Sequence, residues 1–362
     1  MGRRARAVED VVTNVAYENL LARDLDEVLE RGGALWGELR GARIFITGGT
    51  GFVGRWLLET LLWAIDRRRL EVAVTALTRR PQQFAADAPH LASHPAVHLL
   101  EGDARRFAFP DGAFTHIVHA ASDTSPLRDQ ESRRRLFETT VGGTARALEF
   151  AQRSGAGRFL FTSSGAVYGR QPPDLEHVGE DYNGAPDSLA AGSAYGEAKR
   201  AAEMLCALHA GSTLHPIVAR LFAFIGPYLP LDAEFAAGNF VRDALIGDRI
   251  RIAGDGTPFR SYLYASDLAL WLWTLLVGGQ PGRAYNVGSS EPVSIIELAE
   301  RISRAAGGLR IEVARRGVPG VAAERYVPST QRAEQELALS ATVPLDDGIR
   351  RTLAWHRSRV AA

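Results

Sequence analysis

Short apolar runs alternate with amphipathic stretches along much of the chain. Because continuous hydrophobicity is typical of parallel strands covered on both faces, these runs predict buried strands at 44–46, 71–78, 97–100, 115–121 and 158–162. Helical segments separate the strands, the first of them at 56–63, with little hairpin chemistry in between. This alternation predicts an α/β fold with a Rossmann-type doubly wound parallel sheet.

Residues 1–41 precede this pattern and predict an N-terminal helical extension of one or two amphipathic helices. Its apolar positions recur at mixed three- and four-residue steps and are Val11, Val12, Val15, Leu20, Leu21, Leu25, Val28, Leu29 and Leu35. Asp24 or Asp26 could cap the second helix. The simplest interpretation is a helical arm packed on the domain surface, and a subunit contact or a lid is the alternative.

Composition narrows the class of protein. The 362 residues are 46% apolar and 23% charged, as in an ordinary globular protein. The 42 basic and 42 acidic residues give a formal net charge of zero, so no nucleic-acid or membrane partner is expected. Cys206 is the only cysteine and no cluster of His, Asp or Glu has metal-ligand spacing, so neither an intrachain disulfide nor a metal is expected.

Two features bear on the location of the protein. The longest apolar run, at 268–277, is about half as long as a membrane-spanning helix and predicts a buried helix instead. The N-terminus carries arginines but lacks an apolar signal core. A cytoplasmic protein is therefore expected.

The first predicted strand leads into a glycine-rich turn. Gly48, Gly51 and Gly54 follow it at three-residue spacing, and the first helix comes directly after. Such a turn leaves free backbone N–H groups at the start of the helix, where a pyrophosphate can bind. Gly48 would allow the tight turn, Gly51 the approach of the phosphates, and Gly54 the close packing of helix on strand. The motif predicts dinucleotide binding.

The residues after the second predicted strand favour one nicotinamide cofactor. An acidic residue there would bind the adenosine ribose hydroxyls, but the chain has Thr78 followed by Arg79 and Arg80. Guanidinium groups suit a phosphate in bidentate geometry, so NADP(H) is favoured and NAD(H) is the alternative.

Later strand ends carry further candidates. Asp103 could accept a hydrogen bond from the adenine amino group or cap the next turn. The strand at 115–121 delivers His119 and Ala120 to the cofactor edge. His119 is interpreted as a packed, hydrogen-bonded histidine and not as a catalyst or metal ligand.

Tyr195 and Lys199 are one helical turn apart and share a face. A phenol of ordinary pKa is a poor base, but a neighbouring ammonium stabilises its anion. The pair becomes informative beside the glycine turn and the serine-rich end of the strand at 158–162.

These motifs together resemble a known family. They are Thr-Gly-Gly-Thr-Gly-Phe-Val-Gly at 47–54, Ser-Ser-Gly-Ala-Val-Tyr-Gly at 163–169 and Tyr-Gly-Glu-Ala-Lys at 195–199, with supporting segments at 252–267, 285–288 and 348–355. From about residue 43 to the C-terminus, the chain resembles the extended short-chain dehydrogenase/reductases, within them the nucleotide-sugar epimerase/dehydratase branch.

The resemblance implies roles for particular residues. Tyr195 would be the acid/base and Lys199 would hold the nicotinamide ribose and lower the pKa of Tyr195. Substrate would be bound by Ser164, which contacts the reacting oxygen, and by Gly165, Ala166, Asn239, Phe240 and Arg260, the last at the diphosphate. Cofactor would be bound by Thr47, Gly48, Thr50, Gly51, Phe52, Val53, Gly54, Thr78, Arg79, Arg80, Asp103, Ala104, His119, Ala120, Ala121, Tyr195 and Lys199.

Two of these roles have simpler alternatives. Asn239 could cap a helix at 240–245, and Arg260 could form a surface ion pair.

The resemblance also implies a domain division and a homodimer. Residues 42–222 would form the dinucleotide-binding domain. Residues 223–362 would form mainly a smaller C-terminal α/β substrate domain, with some segments returning to the sheet.

Departures from the family pattern reduce the number of reactions that the chain is expected to catalyse. The dehydratases of the family carry an Asp-Glu pair where this chain has Gly165 and Ala166, and the decarboxylating members usually keep a Glu near there. Two asparagines of the family, one of which contacts substrate, are replaced by Ala223 and Thr140.

The sequence therefore predicts an NADP(H)-dependent reductase acting on C4 of a nucleotide-linked keto-sugar. The alternative is a nucleotide-sugar 4-epimerase with tightly bound NAD. A 4,6-dehydratase or decarboxylase is disfavoured, and so is a non-enzymatic relative, because Ser164, Tyr195 and Lys199 are all present.

Overall fold

The computed structural model describes residues 20–122, 129–211, 213–232, 235–318 and 320–360. The predicted helix positions Val11, Val12 and Val15 lie outside the described residues.

The strands, in chain order, are β1 (Arg43–Thr47), β2 (Ala73–Thr78), β3 (Val97–Glu101), β4 (His116–His119), β5 (Arg158–Ser164), β6 (His215–Leu221), β7 (Ala223–Ile225), β8 (Arg249–Ile252), β9 (Phe259–Arg260), β10 (Tyr262–Tyr264), β11 (Ala284–Val287), β12 (Val293–Ser294), β13 (Arg310–Val313) and β14 (Arg325–Tyr326).

The α-helices are α1 (Ala22–Gly32), α2 (Leu35–Glu38), α3 (Phe52–Arg68), α4 (Pro81–Asp87), α5 (Pro89–Ala92), α6 (Gln130–Arg153), α7 (Ala194–His209), α8 (Ala236–Ile246), α9 (Ala265–Gly278), α10 (Ile295–Ala305), α11 (Gln331–Leu337) and α12 (Leu345–Val360). Short 3₁₀ helices lie at Gly165–Tyr168 and Ala191–Ser193.

Among the described residues, seven strands form one sheet in the order β3-β2-β1-β4-β5-β6-β11, and all the pairs are parallel. The order reverses direction between β1 and β4, which is the switch point where ligands bind in such sheets. The Rossmann-type doubly wound sheet predicted from the sequence is confirmed.

Strands β1, β2, β4 and β5 are largely buried, as their apolar runs predicted. The prediction of a buried strand at 97–100 is wrong in its burial, because β3 lies at the edge of the sheet, with His98 exposed and its apolar residues only half-buried. Ile44 and Ile46 pack with α3 and α9 on one side, whereas Phe45 packs with α6 and α7 on the other. Successive side chains of a strand point to opposite faces, so a strand between two helical layers needs apolar residues at every position. Burying each large apolar side chain of this kind stabilises the folded state by about 1.5–3 kcal/mol.

The C-terminal part of the chain both extends the central sheet and forms a second apolar core. Strand β11 pairs with β6 at one edge of the central sheet, and α9 packs on β5 and β6. Elsewhere β7 pairs with β10, β8 with β13, and β9 with β12 and β14. These short strands and helices α8, α10 and α12 enclose a second apolar core. The division at residue 222 stays a prediction.

The described part of the N-terminal extension packs on α3 and α9. Leu25 and Val28 of α1 are buried. The predicted cap at Asp24 or Asp26 is wrong, because both lie inside α1 and no side chain caps its start. Asp24 is instead buried and accepts hydrogen bonds from Tyr264 and Arg351.

Helix α9 is the buried helix predicted at 268–277, and the side chains of its residues Trp271 and Trp273 are fully buried in the protein core. None of the helices in the described part of the chain combines the length and apolarity that crossing a bilayer requires.

Candidate active site

The glycine-rich turn joins β1 to α3 at the switch point of the sheet. Gly48 has φ +71°, and a Cβ there would lie 2.6 Å from the carbonyl oxygen of Ala120 at the end of β4. A Cβ at Gly54 would lie 2.3 Å from the carbonyl oxygen of Gly48. Both glycines are therefore required by backbone-to-backbone packing.

The start of α3 is suited to an anion. Gly51 is its N-cap residue, no side chain caps it, and the first turn holds no acidic residue. Gly51 itself is exposed. The first N–H groups of a helix have no partner within the helix, so they can bind a pyrophosphate here. The turn thus fits the dinucleotide that the motif predicts.

Buried hydrogen bonds hold the loops around this turn. Thr47 Oγ1 lies 2.7 Å from His119 Nδ1 and accepts from the N–H of Ala121 at 3.1 Å, and His119 Nε2 lies 3.1 Å from Thr144 Oγ1. Burial and the charge of Lys199 lower the pKa of His119 to about 3. The interpretation of His119 as a packed, hydrogen-bonded histidine is confirmed, because its buried ring bonds to Thr47 of β1 and to Thr144 of α6.

Strand β2 ends beside the same turn. Thr78 Oγ1 lies 3.5 Å from Thr50 Oγ1 and accepts from the backbone N–H of Arg80 at 3.2 Å. Arg79 and Arg80 are both exposed, and neither guanidinium has an acidic partner among the described residues. Two unpaired cations therefore lie next to the predicted dinucleotide.

Asp103 is already engaged at the end of β3. Its carboxylate accepts from the backbone N–H of Arg105 at 2.9 Å and from the Arg105 guanidinium at 2.9 and 3.0 Å. These contacts lower the pKa of Asp103 to about 2. The capping alternative is present, and the adenine contact of Asp103 stays a prediction.

Tyr195 and Lys199 lie on the first turns of α7, beside the end of β5. The ammonium of Lys199 is buried, donates to the carbonyl oxygen of Thr162 at 2.7 Å and lies 5.9 Å from the centre of the Tyr195 ring. Helix α7 packs directly on β5, so both residues are held by regular structure. The two residues share a helix face, as their spacing predicted.

The pKa of Tyr195 differs from the expectation. Burial raises it, and hydrogen bonds with Ser164 and Ser122 only partly offset that shift. Lys199 was expected to lower the pKa, but its ammonium is directed at Thr162, so loss of hydration dominates. Burial therefore favours the neutral phenol of Tyr195 over its phenolate.

Glu203 is a site residue that the sequence analysis missed. Its carboxylate accepts from Ser163 Oγ at 2.5 Å and forms a bidentate ion pair with Arg220, at 3.0 and 2.7 Å. Arg220 also donates to Tyr168 Oη at 2.9 Å. Position 203 is one further turn along α7 from Lys199, and that spacing is the signal that could have found it.

Burial lowers the pKa of Lys199 to about 8, and the carboxylate of Glu203 opposes this shift. The ammonium is lost as the pH rises through its pKa, so activity that depends on this charge is expected to fall above about pH 8. The dependence of kcat/KM on pH measures this alkaline limb. Glu203→Gln removes the opposing charge and is expected to move the limb to lower pH, with thermal melting as the check on folding. A limb near the ordinary lysine value of 10.5 would contradict this assignment.

The end of β5 places Ser164 at the centre of the site. Ser164 Oγ accepts from the N–H of Ala166 at 3.2 Å and lies 3.3 Å from Tyr326 Oη. A Cβ at Gly165 would lie 2.6 Å from the Phe222 ring and 2.8 Å from Tyr326 Oη. The space that a side chain at 165 would need is therefore filled.

A cavity of about 290 Å³ opens beside Tyr326. Arg170, Arg260 and Arg325 line it together with Glu324. The Nε of Arg325 is buried and has no hydrogen-bond partner in the described part of the chain. Three arginines against one glutamate suit an anionic ligand such as a diphosphate.

Arg260 is half-buried and donates to the carbonyl oxygen of Phe259 at 2.8 Å. Its alternative as a surface ion pair is present in weak form, because the exposed carboxylate of Glu324 lies 3.9 Å away. The diphosphate role of Arg260 stays a prediction.

Asn239 and Phe240 lie in α8. The alternative role of Asn239 as a helix cap is wrong, because α8 begins at Ala236 and the Asn239 amide oxygen accepts from Arg242 within the helix. Phe240 is buried in the C-terminal core. Their place in the nucleotide pocket stays a prediction.

The features of this site define a class of protein. They are an anion-binding turn at the switch point of a doubly wound sheet, a tyrosine–lysine pair and a serine. This is the arrangement of the extended short-chain dehydrogenases/reductases, which are NAD(P)-dependent enzymes. Comparison with family models agrees, because the model of the NAD dependent epimerase/dehydratase family matches residues 44–288. The chain belongs to this family.

Individual relatives carry several activities. The chain is 31% identical over 323 residues to UDP-glucuronic acid decarboxylase 1 of Arabidopsis thaliana, covering 88% of this chain and 70% of that protein. Its fold is similar to UDP-glucose 4-epimerase of Thermotoga maritima with UDP-glucose (TM-score 0.73, 19% identity, 88% and 99% covered). It is equally similar to dTDP-glucose 4,6-dehydratase of Bacillus anthracis with NAD (TM-score 0.73, 20% identity, 88% and 98% covered).

Proposed function

We propose that this chain is an NADPH-dependent reductase acting on C4 of a nucleotide-linked keto-sugar. The observation that carries the proposal is the group Ser164, Tyr195 and Lys199 beside Gly165 and Ala166, two positions that carry no carboxylate. In the dehydratases that the chain resembles, the Asp-Glu pair performs the water elimination, and positions 165 and 166 supply no acid or base for that step. Reduction of a carbonyl needs a hydride from the nicotinamide and a proton from a positioned phenol, but no carboxylate.

In the proposed reaction, the hydride for C4 of the sugar would come from NADPH held at the glycine-rich turn. Tyr195 gives its proton to the carbonyl oxygen, and Ser164 donates a hydrogen bond to the same oxygen. Reduction requires the neutral phenol of Tyr195, and burial favours that form over the phenolate. Lys199 would hold the nicotinamide ribose.

Cofactor oxidation tests the proposal directly. Purified protein is mixed with NADPH and a panel of nucleotide-linked 4-keto sugars, and loss of NADPH absorbance is followed with product analysis. Stoichiometric oxidation with formation of a C4 hydroxyl is expected. If no keto-sugar is reduced, the proposed function fails.

A nucleotide-sugar 4-epimerase is the second candidate. The Ser-Ser-x-Ala-Val-Tyr-Gly segment at 163–169 is also epimerase-like, and the fold is similar to that of a UDP-glucose 4-epimerase. NAD that co-purifies with the protein, with isomerisation in the absence of added cofactor, would favour this candidate.

Decarboxylation of a nucleotide-linked uronate is disfavoured despite the name of the Arabidopsis relative. Position 166 is alanine, and Phe222 and Tyr326 fill the space beside Gly165. Carbon dioxide release from UDP-glucuronate in the presence of NAD is the test, and no release is expected.

The NADPH preference is supported by Arg79 and Arg80 at the end of β2. Replacing both by alanine is expected to weaken NADPH binding by about 10–100-fold, because charged hydrogen bonds to the 2′-phosphate are lost. Binding of NADH should change little. Fluorescence titration of both cofactors measures this selectivity, and Arg68→Ala on the exposed end of α3 is the control. An equal loss for NADH and NADPH would contradict the preference.

Assembly as a homodimer and location in the cytoplasm stay predictions.

A further inference from the structure

Tyr326 lies between the Ser164 hydroxyl and the arginine-lined cavity. The parallel pairing of β14 with β9 places Tyr326 opposite Arg260, whose guanidinium carbon lies 5.9 Å from the centre of the Tyr326 ring. The ring of Phe222 packs on Tyr326 with the ring centres 4.6 Å apart. These contacts fix the ring, so the position of its hydroxyl is set by the fold.

The Tyr326 hydroxyl has two partners at equal distance. Its oxygen lies 3.3 Å from Ser164 Oγ and 3.3 Å from the carbonyl oxygen of Leu221. A carbonyl can only accept, so when Tyr326 donates to Leu221 its oxygen is free to accept from Ser164. When Tyr326 turns its proton to Ser164, the Ser164 proton is free to point elsewhere. Both contacts are long, so neither holds the proton strongly.

Gly165 makes this arrangement possible. A side chain there would begin 2.8 Å from Tyr326 Oη and would displace it from Ser164. The contact between Tyr326 and Ser164 therefore depends on the absence of a side chain at Gly165.

Resting on the function proposed above, we infer that Tyr326 is a positioning residue that aims the Ser164 hydroxyl proton at the reacting oxygen. When Ser164 donates to the sugar carbonyl, Tyr326 turns its own proton from Leu221 to Ser164 Oγ. A hydroxyl that accepts a hydrogen bond is a stronger donor, so the reacting oxygen is better stabilised. Only hydroxyl rotations are involved. The transferred proton still comes from Tyr195 and the hydride from the cofactor.

The charged and titratable groups near these hydroxyls are not substituted in the variants used below. The Lys199 ammonium lies 5.9 Å from the centre of the Tyr195 ring, and the Arg260 guanidinium carbon lies at the same distance from the Tyr326 ring. Tyr168 and Tyr326 both pack against Phe222, with ring centres 6.4 and 4.6 Å from its own.

A double-mutant cycle on kcat tests the inference, with the wild type, Ser164→Ala, Tyr326→Phe and the double variant. Tyr326→Phe is expected to lower kcat by about tenfold, the effect of one neutral hydrogen bond, with KM changed by less than about twofold. In the Ser164→Ala background the same substitution should have almost no effect, because Tyr326 acts through Ser164.

The control is Tyr182→Phe. It removes a hydroxyl from the same aromatic cluster and leaves the described contacts of Ser164 intact. The inference is overturned if Tyr326→Phe lowers kcat by the same factor in the Ser164→Ala background as in the wild type. It is also overturned if Tyr326→Phe leaves kcat unchanged or raises KM alone, or if Tyr182→Phe lowers kcat as much as Tyr326→Phe does.

A second readout needs no sugar. The phenolate of Tyr195 is titrated by ultraviolet difference absorbance against Tyr195→Phe. Tyr326→Phe is expected to raise the pKa of Tyr195, and this shift should vanish in the Ser164→Ala background; an identical shift in both backgrounds also overturns the inference. A wild type that reduces no keto-sugar refutes the proposed reductase, whereas this titration still reports on Tyr326.

Discussion

Replacing Tyr195 by phenylalanine is expected to lower kcat by about 10²–10⁴-fold, the usual contribution of a positioned acid. The phenol lies next to Ser164 and, in the proposed reaction, gives its proton to the substrate oxygen. Steady-state and single-turnover rates with a keto-sugar nucleotide measure the loss.

Cofactor binding should be preserved in Tyr195→Phe, because the anion-binding turn at Gly51 belongs to a different element of the fold. Fluorescence titration with NADPH checks this. Tyr182→Phe is the matched control and should retain near-normal turnover. Near-normal turnover of Tyr195→Phe itself would remove Tyr195 from the mechanism.

The second large effect is expected from Gly54→Ala. The added Cβ would lie 2.3 Å from the Gly48 carbonyl oxygen and 2.4 Å from Gly49 Cα, and backbone atoms cannot move aside as a side-chain end can. Overpacking of this kind costs about 1–3 kcal/mol. Since the strain falls on the turn that would hold the pyrophosphate, we expect cofactor affinity to fall by about 10–100-fold.

Gly142→Ala is the matched control for this substitution. Gly142 is also helical, but the nearest atom to its added Cβ is Arg105 Cγ at 3.8 Å, an ordinary contact. Alanine is the better helix former, so Gly142→Ala should be neutral or slightly stabilising. Isothermal titration with cofactor and thermal melting compare the two variants. Unchanged cofactor affinity in Gly54→Ala would show that the turn does not bind it.

The sequence could predict those parts of the fold and site that depend on local spacing. The apolar runs at 44–46 and 71–78 located β1 and β2, and the glycine triplet located the turn between β1 and α3. The spacing of Tyr195 and Lys199 placed both on one face of α7. In each case a few neighbouring residues determine the geometry.

Other features depend on contacts between distant segments. Tyr326 is 162 residues from Ser164 and reaches it only because β14 pairs with β9. The direction of the Tyr195 pKa shift was predicted wrongly for a similar reason. Spacing reveals that an ammonium is near, but burial and the direction of the Lys199 ammonium toward Thr162 follow from the packing of α7 on β5.

The buried carboxylate of Asp24 has a practical consequence for how the chain can be shortened. The family model begins to match at residue 44, which makes that position a tempting place to start a trimmed protein. Trimming there would leave Arg351 and the Tyr264 hydroxyl without the carboxylate they share, and would uncover the indole of Trp56. Helices α1 and α12 are thus joined through Asp24 and Arg351, and a laboratory version of this enzyme should keep both.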